Sequence, residues 1–369
     1  MKRVVLITGH YWGSKRWAGF HWIADAFARR GWHVTFFTAS ISHLSRLIRD
    51  YRFQYPIRAE AGKVYEVRDN IDSFVWFTPW HPANLRSHIL NRFSMPLFAT
   101  YGDFHLNEGQ EALEEADLLV FESTPGLLLY RRSRQLNPKA TCIYRVSDDL
   151  RLLKSHPAVI REEERIVENF DLVSVPSRYI YDKFRTLPNV RLQHHGIRKE
   201  LFDGEVDNPY DCTDVPNAVF VGSARLDVDF LRRAARLFPD WQFHIIGPIE
   251  AVPEAANIHR YGELRHEETI PYIVHADIGL HTMQYSPGAE SFTDSLKVIQ
   301  YAYCRLPIVT PEFLKSGRSN KFYYRPGDDS SIETALREAA GFDRQSIDTS
   351  QIRSWGDLVD EFIAVATNP

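Results

Sequence analysis

Apolar and polar residues fall in blocks along this chain, and the blocks repeat in a strand–helix rhythm. Val4-Val5-Leu6-Ile7-Thr8 is an almost unbroken apolar run, the pattern of a strand buried on both faces of a parallel sheet. A glycine-bearing loop over residues 9–19 follows, then a helical stretch over 20–30, a stop at Gly31 and a second strand over 33–38. This is the opening of a βαβ unit. Further buried strands read at 117–122 (DLLVFE), 141–145 (TCIYR) and 172–175, with a helix over 127–135.

After His194-His195-Gly196 the rhythm breaks. Residues 203–217 are rich in Asp, Asn and Pro, the composition of a linker. The alternation then restarts, with strands at 218–222, 242–247, 258–261, 278–281 and 307–310 and helices at 229–238, 267–275 and 295–303. The expected fold class is α/β, with two Rossmann-like, doubly wound domains facing across a cleft. The first is expected over 1–205 and the second over 217–349. An amphipathic helix within 350–369 is expected to cross back to the first.

A length of 369 residues suits two such domains. The net charge of −4 gives no global basic excess of the kind that points to nucleic acid. Charge is uneven, however. Residues 1–60 hold ten Lys and Arg against three acids, together with Trp12, Trp17, Trp22 and Trp32. A basic, aromatic surface suits an anionic membrane face, and a tryptophan-rich core beneath a solvated face fits the same residues. The three cysteines are far apart and odd in number, which suits neither a disulfide framework nor a zinc site. No apolar run of about 18 residues spans a bilayer, and residues 1–9 lack the long apolar core of a signal peptide. A cytoplasmic protein, peripheral to the membrane, is the expectation.

Doubly wound sheets bind ligands beyond the carboxyl ends of their strands, where helix N-termini offer unpaired N–H groups to phosphate. In the second half, Val221-Gly222-Ser223 ends a strand with a backbone free of bulk. In Thr293-Asp294-Ser295-Leu296-Lys297-Val298-Ile299-Gln300-Tyr301, Asp294 or Ser295 is placed to cap a helix. Its first turn then forms a diphosphate site with the Lys297 charge beside it, and Gln300 one turn on. Glu263, after Tyr261-Gly262, is placed either to accept from ribose hydroxyls or to lie on the surface. In the first half, Tyr144-Arg145-Val146-Ser147-Asp148-Asp149 runs from a buried strand into a loop. A carboxylate there meets the need of an inverting sugar transfer for one general base. Asp148 follows the strand more directly, while Asp149 is placed to cap the next segment, and capping alone explains either acid. The loop over residues 9–19, with His10-Tyr11-Trp12, has only Gly9, Gly13 and Gly19, not the ordered Gly-x-Gly-x-x-Gly of dinucleotide enzymes, which counts against NAD. Its aromatics and cations suit a sugar-phosphate or lipid-diphosphate acceptor. Asp227-Val228-Asp229 matches a metal-holding Asp-x-Asp, but it opens a helix and reads as a cap. No metal is expected.

These motifs together resemble the xanthan-type bacterial glucuronosyltransferases, the GumK group of glycosyltransferase family 70. The likeness runs from the His10 loop through Phe20-His21, Val120-Phe121-Glu122-Ser123 and Tyr144-Arg145-Val146-Ser147-Asp148. It continues through Val221-Gly222-Ser223, His244-Ile245-Ile246-Gly247, Tyr261-Gly262-Glu263 and the 294–301 segment. The resemblance implies a GT-B fold, inverting transfer, a UDP-glucuronate donor and a polyprenyl-diphosphate-linked oligosaccharide acceptor at the cytoplasmic membrane face, in exopolysaccharide synthesis. It implies Asp148 as base, and Ser223, Ala224, Glu263, Met283, Ser295, Leu296, Lys297 and Gln300 on the donor side, where the strand-ending Gly222 is also placed by its position. His10, Tyr11 and Trp12 then lie on the acceptor side. The chain departs from the group in having Met283 for a tyrosine and Ala224 for a methionine, both in the nucleotide-sugar pocket. A retaining transferase is disfavoured because Glu290 meets Val298, not a second glutamate, eight positions on. A transferase using another nucleotide sugar, a UDP-sugar 2-epimerase of the same architecture and a non-catalytic sensor are the alternatives.

Overall fold

A computed structural model describes residues 1–15, 17–47, 49–222 and 225–367. The chain forms two units. The first comprises residues 1–194 and 355–369, the second residues 195–354.

The first unit is built on eight strands: β1 (Arg3–Thr8), β2 (His33–Ser42), β3 (Val64–Arg68), β4 (Ile71–Thr78), β5 (Leu118–Glu122), β6 (Thr141–Arg145), β7 (Leu172–Val175) and β8 (Val190–Leu192). Their order in the sheet is β3-β4-β2-β1-β5-β6-β7-β8, and every pairing is parallel except β3 with β4. That one antiparallel pair is a hairpin. Asn70 takes the left-handed conformation its turn requires, with φ of 62°. Val4 to Ile7 are wholly buried, as the apolar run of β1 demands, because both faces of the sheet are covered. The helix Gly19–Ala28 packs against β2 and against the C-terminal helix Trp355–Thr367. Arg30 is tied to Asp360 there, with one bond of 2.7 Å. Trp22 and Trp32 are buried, and Trp12 and Trp17 join an aromatic cluster with His21. The tryptophans of the basic N-terminal segment therefore serve packing.

The second unit holds β9 (Asn217–Val221), β10 (Gln242–Ile246), β11 (Ile258–Gly262), β12 (Ile278–Leu280), β13 (Ile308–Pro311) and β14 (Lys321–Tyr324). All are parallel, in the order β11-β10-β9-β12-β13-β14. The boundary between units falls at His194/His195, ahead of the polar 203–217 stretch. Ile197, Phe202 and Tyr210 explain this, since they bury into the core of the second unit. Both sheets are doubly wound, and each has one point where the strand order reverses. It lies between β1 and β5 in the first sheet and between β9 and β12 in the second.

Candidate functional site

The reversal point of the first sheet gathers the chemistry of that unit. Thr8 ends β1, Glu122 ends β5, and Ser147-Asp148-Asp149 follow β6. Glu122 is buried. It accepts from Thr8 Oγ1 at 2.5 Å, Gly9 N at 3.2 Å and Ser147 Oγ at 2.9 Å, and His10 Nε2 stands 3.5 Å away. Burial alone would raise its pKa, but the His10 charge and these hydrogen bonds outweigh that and hold it near 2. His10 is shifted upward in turn. Burial and Arg52 oppose its charge, while Glu122, and to a smaller degree Asp148, favour it more strongly.

The two adjacent acids part company. Asp149 is buried, accepts from Arg151 N at 2.8 Å and pairs with Lys183 at 3.2 Å. Lys183 also holds Glu163, which accepts from the buried Tyr144 hydroxyl. Asp149 is thus a member of an internal network. Asp148 is more exposed, and its backbone N–H donates to Ser123 Oγ at 3.1 Å.

The three expected acceptor-side residues separate as well. His10 faces Glu122. Tyr11 is buried, with its hydroxyl donating to Glu60 at 2.5 Å and its ring against Tyr55. Trp12 packs edge-on against Phe36 and tilts against Trp17 and His21. His21 accepts from Ala18 N through Nδ1 and lies 3.1 Å from the Tyr11 carbonyl through Nε2, and burial drops its pKa to about 4. The loop is shaped from within by aromatic and imidazole rings.

In the second unit three glycines line the carboxyl ends of β9, β10 and β11. Gly247 has φ of 141°, and a Cβ there would lie 1.8 Å from the Gly222 carbonyl oxygen, so only glycine fits. Gly262 also has positive φ and turns the chain into the exposed Glu263. The helix Leu296–Tyr303 is tied to β9 by Tyr301, whose hydroxyl accepts from Val221 N and donates to the Val219 carbonyl. Ser295 holds the cap position without a side-chain capping bond, and Asp294 is taken by Arg318 at 2.9 Å. Among the described residues the N–H groups of Leu296 and Lys297 have no acceptor. They point an incipient positive charge out of the helix start.

Lys297 is the strongest feature of this end. Its ammonium sits over the Phe220 ring, and among the described residues it has no hydrogen-bond acceptor or carboxylate partner. Burial of that ammonium pushes its pKa down to about 7. Lys321 is buried, donates to the Thr293 carbonyl at 2.7 Å and is pushed down to about 8 by burial. His281 is buried beside Ser295 and is held neutral by burial and by the charges of Lys297 and Lys321. The half-buried Lys297, the buried Lys321 and one Arg–Asp pair give this end a net positive charge. Gln300 is buried, and its amide has no hydrogen-bond partner among the described residues. Met283 lies in a small apolar cluster with Ala289 and Leu314. Ser223 and Ala224 lie outside the described residues.

Sequence reasoning did not assign roles to Glu122, Arg318 or Lys321. Glu122 had one signal, an acid ending an otherwise apolar strand. Asp227 is the cap expected of it, accepting from Phe230 N at 3.0 Å, and it also takes the Tyr324 hydroxyl at 2.9 Å. Asp229 is engaged by Arg232 and Arg233. No group of three or more His, Cys, Asp or Glu among the described residues is arranged to hold a metal ion.

Two doubly wound units of this kind are the architecture of the GT-B class of glycosyltransferases. Within that class the chain resembles the GumK glucuronosyltransferases. Residues 6–176 match the family described as glucuronosyltransferase GumK, N-terminal domain. Over 97% of its length, and 88% of the relative's, the chain is 28% identical to UDP-glucuronate:glycolipid 2-beta-glucuronosyltransferase of Xanthomonas campestris pv. campestris. Solved structures share the fold at lower identity. HepE of Anabaena in complex with UDP-glucose aligns with a TM-score of 0.63 at 11% identity, over all of both chains. Sucrose-phosphate synthase of Thermosynechococcus elongatus aligns at 0.62 and 16%, over all of this chain and 97% of the other.

Proposed function

We propose that this protein transfers glucuronic acid, with inversion, from UDP-glucuronate to a polyprenyl-diphosphate-linked oligosaccharide at a membrane surface, in exopolysaccharide synthesis. The observation that carries the reading is Lys297, an ammonium at the carboxyl end of the second sheet with no carboxylate to neutralise it among the described residues. A diphosphate supplies that missing charge. In the reaction the acceptor hydroxyl oxygen forms a bond to C1 of the donor sugar as the bond from C1 to the diphosphate oxygen breaks. The hydroxyl proton passes to the Asp148 carboxylate, and UDP leaves with the electron pair. Lys297 and the N–H groups of Leu296 and Lys297 stabilise the charge that develops on the leaving oxygen. Ser295 and Gln300 supply further polar contacts on the nucleotide side, and Glu263 accepts from the ribose. Charge stabilisation by the protein's own cations makes the step independent of a metal.

Membrane contact fits the helix His88–Ala99 better than the tryptophans. Ile89, Leu90, Phe93 and Leu97 are exposed along one side of it, and Arg86 and Arg92 flank them. No helix among the described residues is long and apolar enough to cross a membrane. Attachment is therefore read as peripheral.

The test is to offer several UDP-sugars with a bacterial lipid extract as acceptor. Sugar transfer to lipid from UDP-glucuronate above the others is expected. Transfer from another donor only would replace the sugar assignment. Interconversion of UDP-sugars without an acceptor would replace transfer by epimerisation.

A further inference from the structure

Glu122 is a buried anion, and such a group costs several kcal/mol unless its partners are well placed. An apolar side chain would close the end of β5 as well. Its four partners come from the end of β1 and from the loops that follow β1 and β6. Thr8 Oγ1, Gly9 N and His10 Nε2 approach from one side and Ser147 Oγ from the other. The His10 backbone N–H donates to Thr8 Oγ1 at 3.1 Å, so the first loop is folded around the same carboxylate. The next residue on β5's side, Ser123, receives the Asp148 N–H. Two consecutive residues of one strand end thus tether Ser147 and Asp148 through two independent bonds.

We propose that Glu122 is the positioning residue of the transfer site: its carboxylate locks the Thr8–His10 turn to Ser147 and so fixes where Asp148 stands. This rests on Asp148 being the base. Glu122 has no need to touch substrate. Its work is to prevent the loop after β6 from drifting, because a displacement of about 1 Å at a reacting group costs on the order of a hundredfold in rate. The charged and titratable groups that face His10 are Glu122, Arg52, Asp148 and His21. Among them Glu122 makes the direct contact.

The experiment compares Glu122→Gln, Glu122→Asp, Ser147→Ala and Asp148→Ala in the full chain. It reads kcat, donor affinity by calorimetry with UDP, and the His10 titration by NMR. Glu122→Gln is expected to lower kcat by about tenfold to a hundredfold at unchanged UDP affinity. The His10 midpoint should fall, since its counter-ion is gone. Glu122→Asp keeps the charge one methylene short and should recover part of both. Ser147 is partly exposed, so Ser147→Ala keeps the fold and still removes one tether. A several-fold loss of kcat without loss of UDP affinity is expected there, and this variant decides the matter if Glu122→Gln does not fold. Full turnover in Ser147→Ala and Glu122→Gln beside a dead Asp148→Ala would overturn the role of Glu122 alone. An unmoved His10 midpoint in Glu122→Gln would also overturn it. Full turnover in Asp148→Ala would instead remove the base on which the proposal rests.

Discussion

The ammonium of Lys297 stands 4.0 Å from the centre of the Phe220 ring, in the space that a side chain on Gly222 would occupy. A cation over an aromatic face is partly compensated, and it keeps its donors for a ligand. Because burial holds this group near pH 7, donor binding should depend on pH. Below that value the lysine is already protonated and affinity is full. Above it the bound state must first acquire a proton, so affinity for UDP-glucuronate falls as pH rises, by up to about tenfold per unit. Calorimetry between pH 6 and 9 checks the slope. Lys297→Ala should flatten it and cost about 1.5–3 kcal/mol of binding, the usual worth of a charged hydrogen bond. A flat wild-type profile would remove Lys297 from the donor site.

Asp148 and Asp149 should behave differently despite their adjacency. Asp148→Asn is expected to lower transfer by about a hundredfold or more, the contribution of a general base, while leaving the melting temperature and UDP affinity in place. Asp149→Asn should show the reverse emphasis. It weakens the buried network of Lys183 and Glu163, so thermal unfolding should shift downward. Comparable stability loss in both variants would contradict the separation.

The Asp227-Val228-Asp229 sequence offers a further discriminating measurement. Both carboxylates are engaged within the protein, Asp227 by Phe230 N–H and Tyr324 and Asp229 by arginines. Turnover should therefore persist in EDTA. Asp227→Ala should cost about 1 kcal/mol or somewhat more of stability, as loss of a helix cap does. Activity lost in EDTA and restored by a divalent cation would refute metal independence.

Membrane attachment is testable on the helix His88–Ala99. Phe93 is 79% exposed and Leu97 48%, so replacing both by serine should leave folding intact. The double variant should lose sedimentation with anionic phospholipid vesicles, since each large apolar side chain returned to water forfeits about 1.5–3 kcal/mol. Vesicle binding equal to wild type would place the contact elsewhere.

Much of this architecture is written in short-range patterns. The central parallel strands announce themselves because burial on both faces requires continuous apolar runs, whereas the short edge strands β8 and β14 have no such run. Strand β4 and its partner β3 are less legible, since Ile71–Thr78 mixes Asp72 and Ser73 with its apolar residues and sits near the sheet edge. The helix His88–Ala99 escapes a periodicity test for a different reason. Its apolar residues face outward at Ile89, Phe93 and Leu97 and inward at Phe98, so no single stripe emerges. At the site, spacing favoured Asp148 over Asp149 only by its nearness to the strand, and capping explained either acid. Their separation comes from Lys183, which is distant in sequence. Glu122 was readable as an acid at a strand end but not as a hub, because its partners lie 25 residues later and more than 110 earlier. The cap expected at Asp294 or Ser295 was similarly altered by a distant residue, Arg318, which claims Asp294.

The path of the chain also orders its assembly. The polypeptide quits the first unit at His194 and rejoins it at Trp355, and near the crossing Ile197 bridges to Ser354. During synthesis, residues 195–354 emerge as a whole unit before the helix Trp355–Thr367 exists. Until then the face that receives Trp355, Leu358, Val359 and Phe362 is bare, and Gly19 lacks the ring it packs against. The half that was begun first on the ribosome is therefore the half completed last.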